Sequence, residues 1–315
     1  MNQTVVCLGA HVFDVQLRPV DAIPEGQGVA LVEQIRFSPA GAAGGTSVTL
    51  AKLGATVRSA GAIGSDPIGD LFVTMLARHG VDTSLLLRRD GVQTSSSVLP
   101  IRPDGSRPAF HVPGANLTYG SDDAPHDHIA AASHLHVGGP ELMGGEAAAA
   151  ILSRAKSAGA VTSADILTAG DPGVLAWIAP ALPHLDYLLP NDEQVLGLTG
   201  AATLEQGCRE LIARGVTCVA ATRGADGAVV VTADETVQVP AFAVDVVDTT
   251  GCGDAFSAGF VRGTGLGRDV TASARLGCAA AALVAQGLGS DHGVFDLAAA
   301  DAFAENTPVL QASNR

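Results

Sequence analysis

Short apolar runs alternate with amphipathic helical patterns along most of this 315-residue chain, and this alternation is the feature that most constrains its fold. The apolar runs have the length of β-strands and lie at 5–8, 57–63, 134–138, 160–164, 187–189 and 217–221. The clearest helical pattern, residues 67–79, follows a predicted N-cap at Asp66 and precedes a predicted left-handed stop at Gly80. Strands that alternate with helices favour an α/β fold: a doubly wound, mainly parallel sheet flanked by helices.

Two segments near the N-terminus interrupt this alternation. Apolar side chains alternate with a period of two in residues 29–37 and 95–112, and the second segment contains the turn sequence Pro103-Asp104-Gly105. The pattern predicts antiparallel strands that form a small β-sheet lid. The chain is therefore divided into a large α/β domain, residues 1–11, 39–91 and 117–315, and a small β lid, residues 12–38 and 92–116. An exposed lid favours a homodimer through the lid, because its edges and apolar face need cover.

Charge and cysteine content argue against several classes of function. A net charge of -14 with only 18 Lys+Arg would repel nucleic acid and anionic membranes, so neither is an expected partner. No apolar stretch approaches the ~20 residues of a membrane helix, and the N-terminus lacks a signal-peptide pattern. The five cysteines form no CxxC pair, which favours reduced thiols over disulfides or a zinc site. These features predict a cytoplasmic location.

The sharpest chemical signal is the segment 248–256, DTTGCGDAF, which lies between a strand-like run, 243–247, and a helical pattern. Gly251 and Gly253 would let the backbone approach a ligand and point successive N–H groups at one spot, where the helix dipole also attracts anions. Asp254, in the first helical turn, is placed to take a proton from an attacking hydroxyl. An anion hole beside a base suits phosphoryl transfer. The alternative is that Asp254 is only a helix cap and the glycines only a turn.

Other phosphate-binding motifs are missing from the sequence. The chain has two lysines, Lys52 and Lys156, and neither follows a GxxxxG pattern, which rules out a Walker A loop. The first strand leads into residues 9–14, GAHVFD, which is not the GxGxxG pattern of a dinucleotide-binding fold.

Over nearly its whole length the chain resembles the ribokinase or PfkB family of sugar kinases. Residues 248–256 look like the family's C-terminal signature, and residues 39–54 are similar to its glycine-rich first signature. Further matches lie at 64–69, 80–83, 113–116, 189–191 and 222–227. The resemblance implies a ribokinase-like fold and an enzyme that transfers the γ-phosphate of Mg-ATP to a hydroxyl of a small sugar or sugar acid.

The resemblance also implies roles for single residues. The catalytic group would be Asp254 as general base, with the amides of Gly251, Cys252 and Gly253 as the anion hole. The substrate would meet Asp14, Gly41 and Gly45. Apart from the resemblance, Arg107 and His111 in the lid are candidates for substrate contact, and the alternative is that they belong to a solvated strand face. The ATP contacts would be Asn191, Thr222, Gly224 and Gly227. Asn191 and Glu193 would hold Mg²⁺ through water, and Asp248 and Thr250 match positions that bind K⁺ or another monovalent cation in some members. Asp14, Asn191, Thr222 and Gly224 all follow predicted strands, so the motifs should converge on one crevice.

Several departures from the family pattern bear on specificity. Gly45 replaces the usual asparagine, and Val12 replaces an asparagine that ribokinases use for ribose, which argues against ribose itself. Gln194 replaces the glutamate of the Asn-x-x-Glu pattern, so either Glu193 is the substitute or the metal is held more weakly. Residues 289–293, GSDHG, do not have the serine and proline at the family's usual positions, which weakens the expectation of a K⁺ site. Two alternatives stay open: a nucleoside kinase of the same fold, and a sugar- or nucleotide-binding sensor without turnover.

Overall fold

The computed structural model describes residues 3–103 and 106–310. The strands are β1 (Thr4–Gly9), β2 (Val12–Arg18), β3 (Gln34–Ala40), β4 (Thr56–Gly64), β5 (Asp82–Arg89), β6 (Ser96–Pro100), β7 (Phe110–Val112), β8 (His134–Gly138), β9 (Val161–Asp165), β10 (Tyr187–Leu188), β11 (Cys218–Thr222), β12 (Ala228–Val231) and β13 (Thr236–Val239). The α-helices are α1 (Gly44–Lys52), α2 (Pro67–Arg78), α3 (His126–Ala130), α4 (Pro140–Met143), α5 (Gly145–Ser157), α6 (Pro172–Ile178), α7 (Asp192–Thr199), α8 (Leu204–Ala213), α9 (Cys252–Gly265), α10 (Val270–Ala285) and α11 (Leu297–Asn306).

Within the described residues, nine strands form one large sheet in the order β13-β12-β11-β10-β9-β8-β1-β4-β5. The strands from β11 to β5 in this order are parallel, and β12 and β13 form an antiparallel edge. Alternate residues of β1 point to opposite faces: Val6 and Leu8 pack with α3 and α5–α8, whereas Val5 and Cys7 pack with α1, α2 and α9–α11. The predicted doubly wound α/β fold is therefore confirmed.

Helix α2 shows how local sequence sets an element boundary. The Asp66 side chain accepts a hydrogen bond from Gly69 N at 2.8 Å, and Pro67 occupies the first helical position. Such an N-cap typically contributes ~1 kcal/mol. Phe72 and Leu76 form the fully buried face, and Gly80 follows the helix with a φ of 80°, where glycine avoids the strain of a Cβ. The predicted helix and both of its end signals are confirmed.

The second sheet, here called the lid sheet, has the order β3-β2-β6-β7. The β2–β3 and β6–β7 pairs are antiparallel, but β2 and β6 are parallel. Register places Asp14 beside Ser38 and Ser97, and Ser97 beside His111, in one row across the sheet. The next row, on the opposite face, contains the partly exposed apolar side chains Phe37, Val15, Val98 and Phe110.

Three local predictions differ from the structure. Residues 29–33 are part of the β2–β3 connection and not of a strand. Glu33 N donates to Arg18 O at the end of β2, but Val29 and Leu31 lie in solvent, 85% and 95% exposed. Residues 243–247 form no strand although they lie in the described part, and Val247 N instead donates to Ala285 O. Asp14 does not end the first strand. The chain leaves the large sheet after Gly9, whose φ is 126°, and Asp14 lies inside lid strand β2.

The remaining expectations about domains and location have a mixed outcome. Asp104 and Gly105 of the predicted turn lie outside the described residues, and the exact division into two domains stays a prediction. Each of the five cysteines lies in the described part of the chain and is a free thiol. Among residues 3–103 and 106–310, no helix combines the length and apolarity that crossing a membrane requires. The cytoplasmic location stays a prediction.

Candidate active site

A cleft of about 950 Å³ lies between the lid sheet and the carboxyl ends of the parallel strands. Most of the residues singled out from the sequence line it: Asp14, Gly41, Arg107, His111, Asn191, Glu193, Thr222, Gly224, Thr250, Gly251, Gly253 and Asp254. Open α/β sheets bind their ligands at this edge, where strand ends leave backbone and polar side chains free. The separate motifs thus meet in one place.

A smaller cavity of about 300 Å³ adjoins the cleft and is mainly apolar. Its walls include Phe242, Val244, Val246 and Phe256, together with Cys252 and Gly227. Thr222, Gly224, Thr249 and Gly253 line both spaces, so the cavity and the cleft form one continuous site. A ligand with a flat apolar end and a charged end would fit across the junction.

The loop 248–254, here called the anion loop, leads into α9. Gly251 is the N-cap, with a φ of 77° that favours glycine. Cys252 N donates to Thr249 O at 3.2 Å, so one of the three amides predicted for the anion hole has a backbone partner. The N–H groups of Gly253 and Asp254 belong to the first helical turn, where no intrahelical acceptor exists. These amides and the α9 dipole make this end of the cleft suitable for an anion.

Asp254 lies in the first turn of α9 and lines the cleft. Burial raises the pKa of its carboxyl to about 7; the Asp14 carboxylate adds to this shift and the Arg107 guanidinium opposes it. A carboxylate whose pKa lies near neutral pH suits general-base catalysis. Gly45 does not line the cleft. A Cβ at this position would overlap Oδ2 of Asp254, so Gly45 instead gives the Asp254 side chain its space against α1.

The lid contributes a second buried carboxyl and a cation. Asp14 is 5% exposed, and burial raises its pKa to about 7, opposed by a hydrogen bond from Ser97 and by Arg107. Arg107 Nε donates to Thr249 Oγ1 at 3.4 Å, which links the lid to the anion loop. Of the described residues that line the cleft, Arg107 is the only arginine or lysine. His111 Nδ1 lies 3.0 Å from Ser97 Oγ, and burial lowers the pKa of its ring.

Sequence reasoning missed Asp165, at the carboxyl end of β9. This side chain is 7% exposed, lines the cleft, and accepts a hydrogen bond from Ser257 Oγ at 3.2 Å. Burial and the nearby Asp254 raise the pKa of its carboxyl well above the ordinary value. The signal was present, because Asp165 directly follows the apolar run 160–164, and polar residues at that position of a parallel strand face the ligand edge.

The structure gives a physical reason for the unusual Gln194. Its Oε1 accepts a hydrogen bond from Asn191 N at 2.8 Å, and its Nε2 donates to Ile166 O at 2.7 Å and Thr168 O at 3.3 Å. An ionised glutamate has no N–H or O–H donor for the last two bonds. Gln194 therefore ties the segment after β9 to the start of α7, and both ends of its amide are engaged in these bonds. Glu193, the substitute candidate, is exposed at the cleft.

Asp248 and Thr250 bond mainly to each other. Asp248 Oδ1 accepts from Thr250 N at 2.9 Å and from Thr250 Oγ1 at 2.7 Å, while Oδ2 accepts from Gly289 N at 3.0 Å. Both carboxylate oxygens are thus already engaged by donors. Across residues 3–103 and 106–310, no group of three or more His, Cys, Asp or Glu side chains is arranged to hold a metal ion by itself.

Comparison with known proteins identifies a family for the chain and relatives of its fold. The sequence model of the pfkB family carbohydrate kinase matches residues 2–295. The ATP-dependent ribose-1-phosphate kinase of Halopiger xanaduensis is 33% identical over 260 residues, which is 81% of this chain and 83% of that protein. Fructokinase-2 of Oryza sativa subsp. japonica is 29% identical over 250 residues, 75% of this chain and 74% of that protein. The structure of Arabidopsis thaliana ribokinase complexed with ribose and ATP superimposes with a TM-score of 0.82 at 22% identity, covering 97% of this chain and 99% of that one.

Proposed function

Because the chain belongs to the pfkB family of carbohydrate kinases, we propose that it transfers the γ-phosphate of ATP to a hydroxyl of a small sugar, with Asp254 as general base. The observation that carries the proposal is the position of Asp254. Its carboxyl lines the cleft beside the first-turn amides of α9, so a proton acceptor and an anion-binding site adjoin.

The two connected spaces suggest how ATP lies in the site. The apolar cavity beside Phe242, Val246 and Phe256 would take the adenine base, and Gly224 and Gly227 let the backbone approach it closely. The phosphates would then extend past Thr222 toward the anion loop, where cavity and cleft join. This orientation brings the γ-phosphate to the amides of Gly253 and Asp254.

The sugar would lie under the lid sheet, between Asp14 and the Gly41 loop, where a buried carboxylate can accept hydrogen bonds from its hydroxyls. Asp254 takes the proton as the acceptor oxygen attacks the γ-phosphorus; the new O–P bond forms, the bond to the bridging oxygen breaks, and ADP leaves. The Arg107 guanidinium reaches the anion loop from the lid and so offers positive charge to the transferring group. A closed lid would exclude water and limit wasteful ATP hydrolysis.

The donor set of the cleft fits Mg²⁺, which prefers oxygen ligands, keeps several waters and binds through one or two carboxylates plus phosphates. Asn191, Glu193 and Asp165 present such oxygen atoms along one wall. These residues would hold the ion through its water shell, while the engaged amide of Gln194 would not take part. When bound, the ion would offset the negative charge of the phosphates.

A coupled ADP-release assay over a panel of acceptors tests the proposed function. The panel contains pentoses, hexoses including fructose, ribose 1-phosphate, 2-keto-3-deoxy acids and nucleosides, each with Mg-ATP and with acceptor omitted. We expect acceptor-dependent ADP release with at least one sugar. Release with nucleosides alone would support the nucleoside-kinase alternative. No release with any acceptor, combined with measurable ATP binding, would support the non-catalytic sensor and contradict the proposal.

We further propose that the protein is a homodimer whose subunits meet through the apolar row of the lid sheet. Phe37 and Phe110 are 49% and 58% exposed at opposite ends of that row, so a second copy would cover them. The double variant Phe37→Asp, Phe110→Asp should be a monomer by sedimentation velocity, because its dimer would have to bury two charges from each subunit. The control Leu266→Asp changes a similarly exposed apolar residue after α9 and should remain dimeric. A wild-type monomer would refute the interface.

A further inference from the structure

The loop Gly289–Gly293, here called the C-terminal loop, supports the anion loop from behind. Gly289 N donates to Asp248 Oδ2 at 3.0 Å. Ser290 packs so closely on Gly251 that a Cβ at Gly251 would overlap the Ser290 Cβ and Cα. Because Gly251 is the N-cap of α9, the position of the C-terminal loop determines where the amides of the anion loop lie.

A lysine ammonium binds three successive carbonyl oxygens of the C-terminal loop. Lys52 Nζ, at the end of α1, lies 2.7 Å from Asp291 O, 2.8 Å from His292 O and 2.8 Å from Gly293 O. An ammonium has three N–H donors, and these three bonds use all of them. The same group lies 4.9 Å from the centre of the Phe295 ring. Burial lowers the pKa of Lys52 to about 8, against the pull of the Asp291 carboxylate, so the ammonium form prevails at pH 7.

Side chains from two other elements hold the Asp291 carboxylate of this loop. Arg36 Nη2 lies 2.9 Å from Asp291 Oδ1, and His79 Nε2 lies 3.3 Å from Asp291 Oδ2. Neither of these groups bonds a loop carbonyl oxygen in the contacts described. Lys52 is therefore the cation that gathers the backbone of the loop, while Arg36 and His79 hold its one carboxylate.

We propose that the Lys52 ammonium is a built-in replacement for a bound monovalent cation, so that this protein does not require K⁺. Converging backbone carbonyls are the ligands that K⁺ takes when it loses its water shell, and an ammonium has the same charge and a similar size. The two residues matched to a cation site, Asp248 and Thr250, instead satisfy each other and Gly289. Lys52 does not line the cleft, so it is a positioning residue that acts through the C-terminal and anion loops.

The first test compares rates in KCl and in tetramethylammonium chloride at equal ionic strength. Its activity readout rests on the proposed kinase function. Wild type should show the same kcat in both salts. Lys52→Met should lose about tenfold in kcat in tetramethylammonium chloride, since a charged donor set is removed, and regain most of it in K⁺ or NH₄⁺. Lys156→Met is the matched control: it removes the other lysine, which pairs with Asp186 on the surface, and should behave as wild type in both salts.

The second test is the melting temperature in the same salts, which needs no turnover. K⁺ and NH₄⁺ should raise the melting temperature of Lys52→Met and leave wild type and Lys156→Met unchanged. A wild-type kcat that depends tenfold or more on K⁺ would overturn the proposal, whatever the variant does. The proposal would also be overturned if Lys52→Met kept the wild-type kcat in tetramethylammonium chloride. The same holds if neither K⁺ nor NH₄⁺ raised the kcat or the melting temperature of this variant. Absence of ADP release from wild type with every acceptor would refute the proposed kinase function but leave the melting test intact.

Discussion

Replacing Asp254 by Asn is expected to lower kcat by roughly 10²- to 10⁴-fold, the usual contribution of a positioned general base. The amide has the size of the carboxylate and keeps its place against Gly45, but it does not accept a proton at neutral pH. The KM for ATP should stay near wild type and the melting temperature should not fall, because the change removes a charge that burial and the Asp14 carboxylate both disfavour. Steady-state kinetics with the best acceptor measure this effect.

The pH profile distinguishes a lost base from a distorted site. Only the ionised carboxylate accepts a proton, and the pKa of Asp254 is raised to about 7, so wild-type kcat should fall as pH drops below 7. Asp254→Asn should lose that acid limb along with the rate. The matched control is Asp70→Asn, which changes an exposed aspartate in the first turn of α2 and should alter neither quantity. A near-normal kcat for Asp254→Asn would remove Asp254 from the role of base.

Gly251→Ala is expected to lower kcat/KM by roughly 10²- to 10³-fold, about the effect of losing an oxyanion-hole donor. The left-handed backbone at this position, φ 77°, costs a residue with a Cβ about 1–2 kcal/mol, and the new methyl would also overlap Ser290. Relief of that overlap displaces either the anion loop or the C-terminal loop. Kinetics and urea unfolding on the same variant measure both consequences.

A second glycine separates backbone strain from the overlap with Ser290. Gly267 has nearly the same φ, 79°, but a Cβ there would meet no atom of the described residues within 4 Å. Gly267→Ala should therefore lose a similar amount of stability from strain and keep its activity. If Gly251→Ala were as active as Gly267→Ala, the contact between the C-terminal loop and the anion loop would have no role in turnover.

Local sequence signals predicted those parts of the fold in which a short-range requirement selects a particular residue type. Asp66 and Gly80 bound α2 because capping and positive φ are short-range requirements. The apolar runs 57–63 and 134–138 became central strands because a sheet covered on both faces needs continuous apolar sequence. The fold class was predicted from the order of the elements, because strands that alternate with helices favour a parallel sheet covered on both faces.

The wrong predictions concern which segments pair as strands, and the features that were missed concern contacts of buried side chains. Residues 29–33 alternate like a strand but form none in the described structure, because strand pairing depends on the tertiary structure. Asp14 reaches the cleft from the lid sheet, because the chain changes sheets after Gly9. Within the site, the position of Asp254 next to Gly251 and Gly253 of the anion loop was predicted from the sequence. The burial of Asp165 and the bonds of Lys52 depend on residues more than 90 positions away in the chain, so spacing alone did not reveal them.

Strand β3 links the proposed sugar site to the C-terminal loop. Its Ser38 lies beside Asp14 in one row of the lid sheet, while its residues Arg36 and Pro39 bond Asp291 and Ser290 of the C-terminal loop. If a bound sugar shifted this strand, the contact of Pro39 with Ser290 would pass the shift to Gly251. Any coupling of this kind between the proposed sugar and ATP sites is reciprocal, so each ligand would then change the affinity of the other by one common factor.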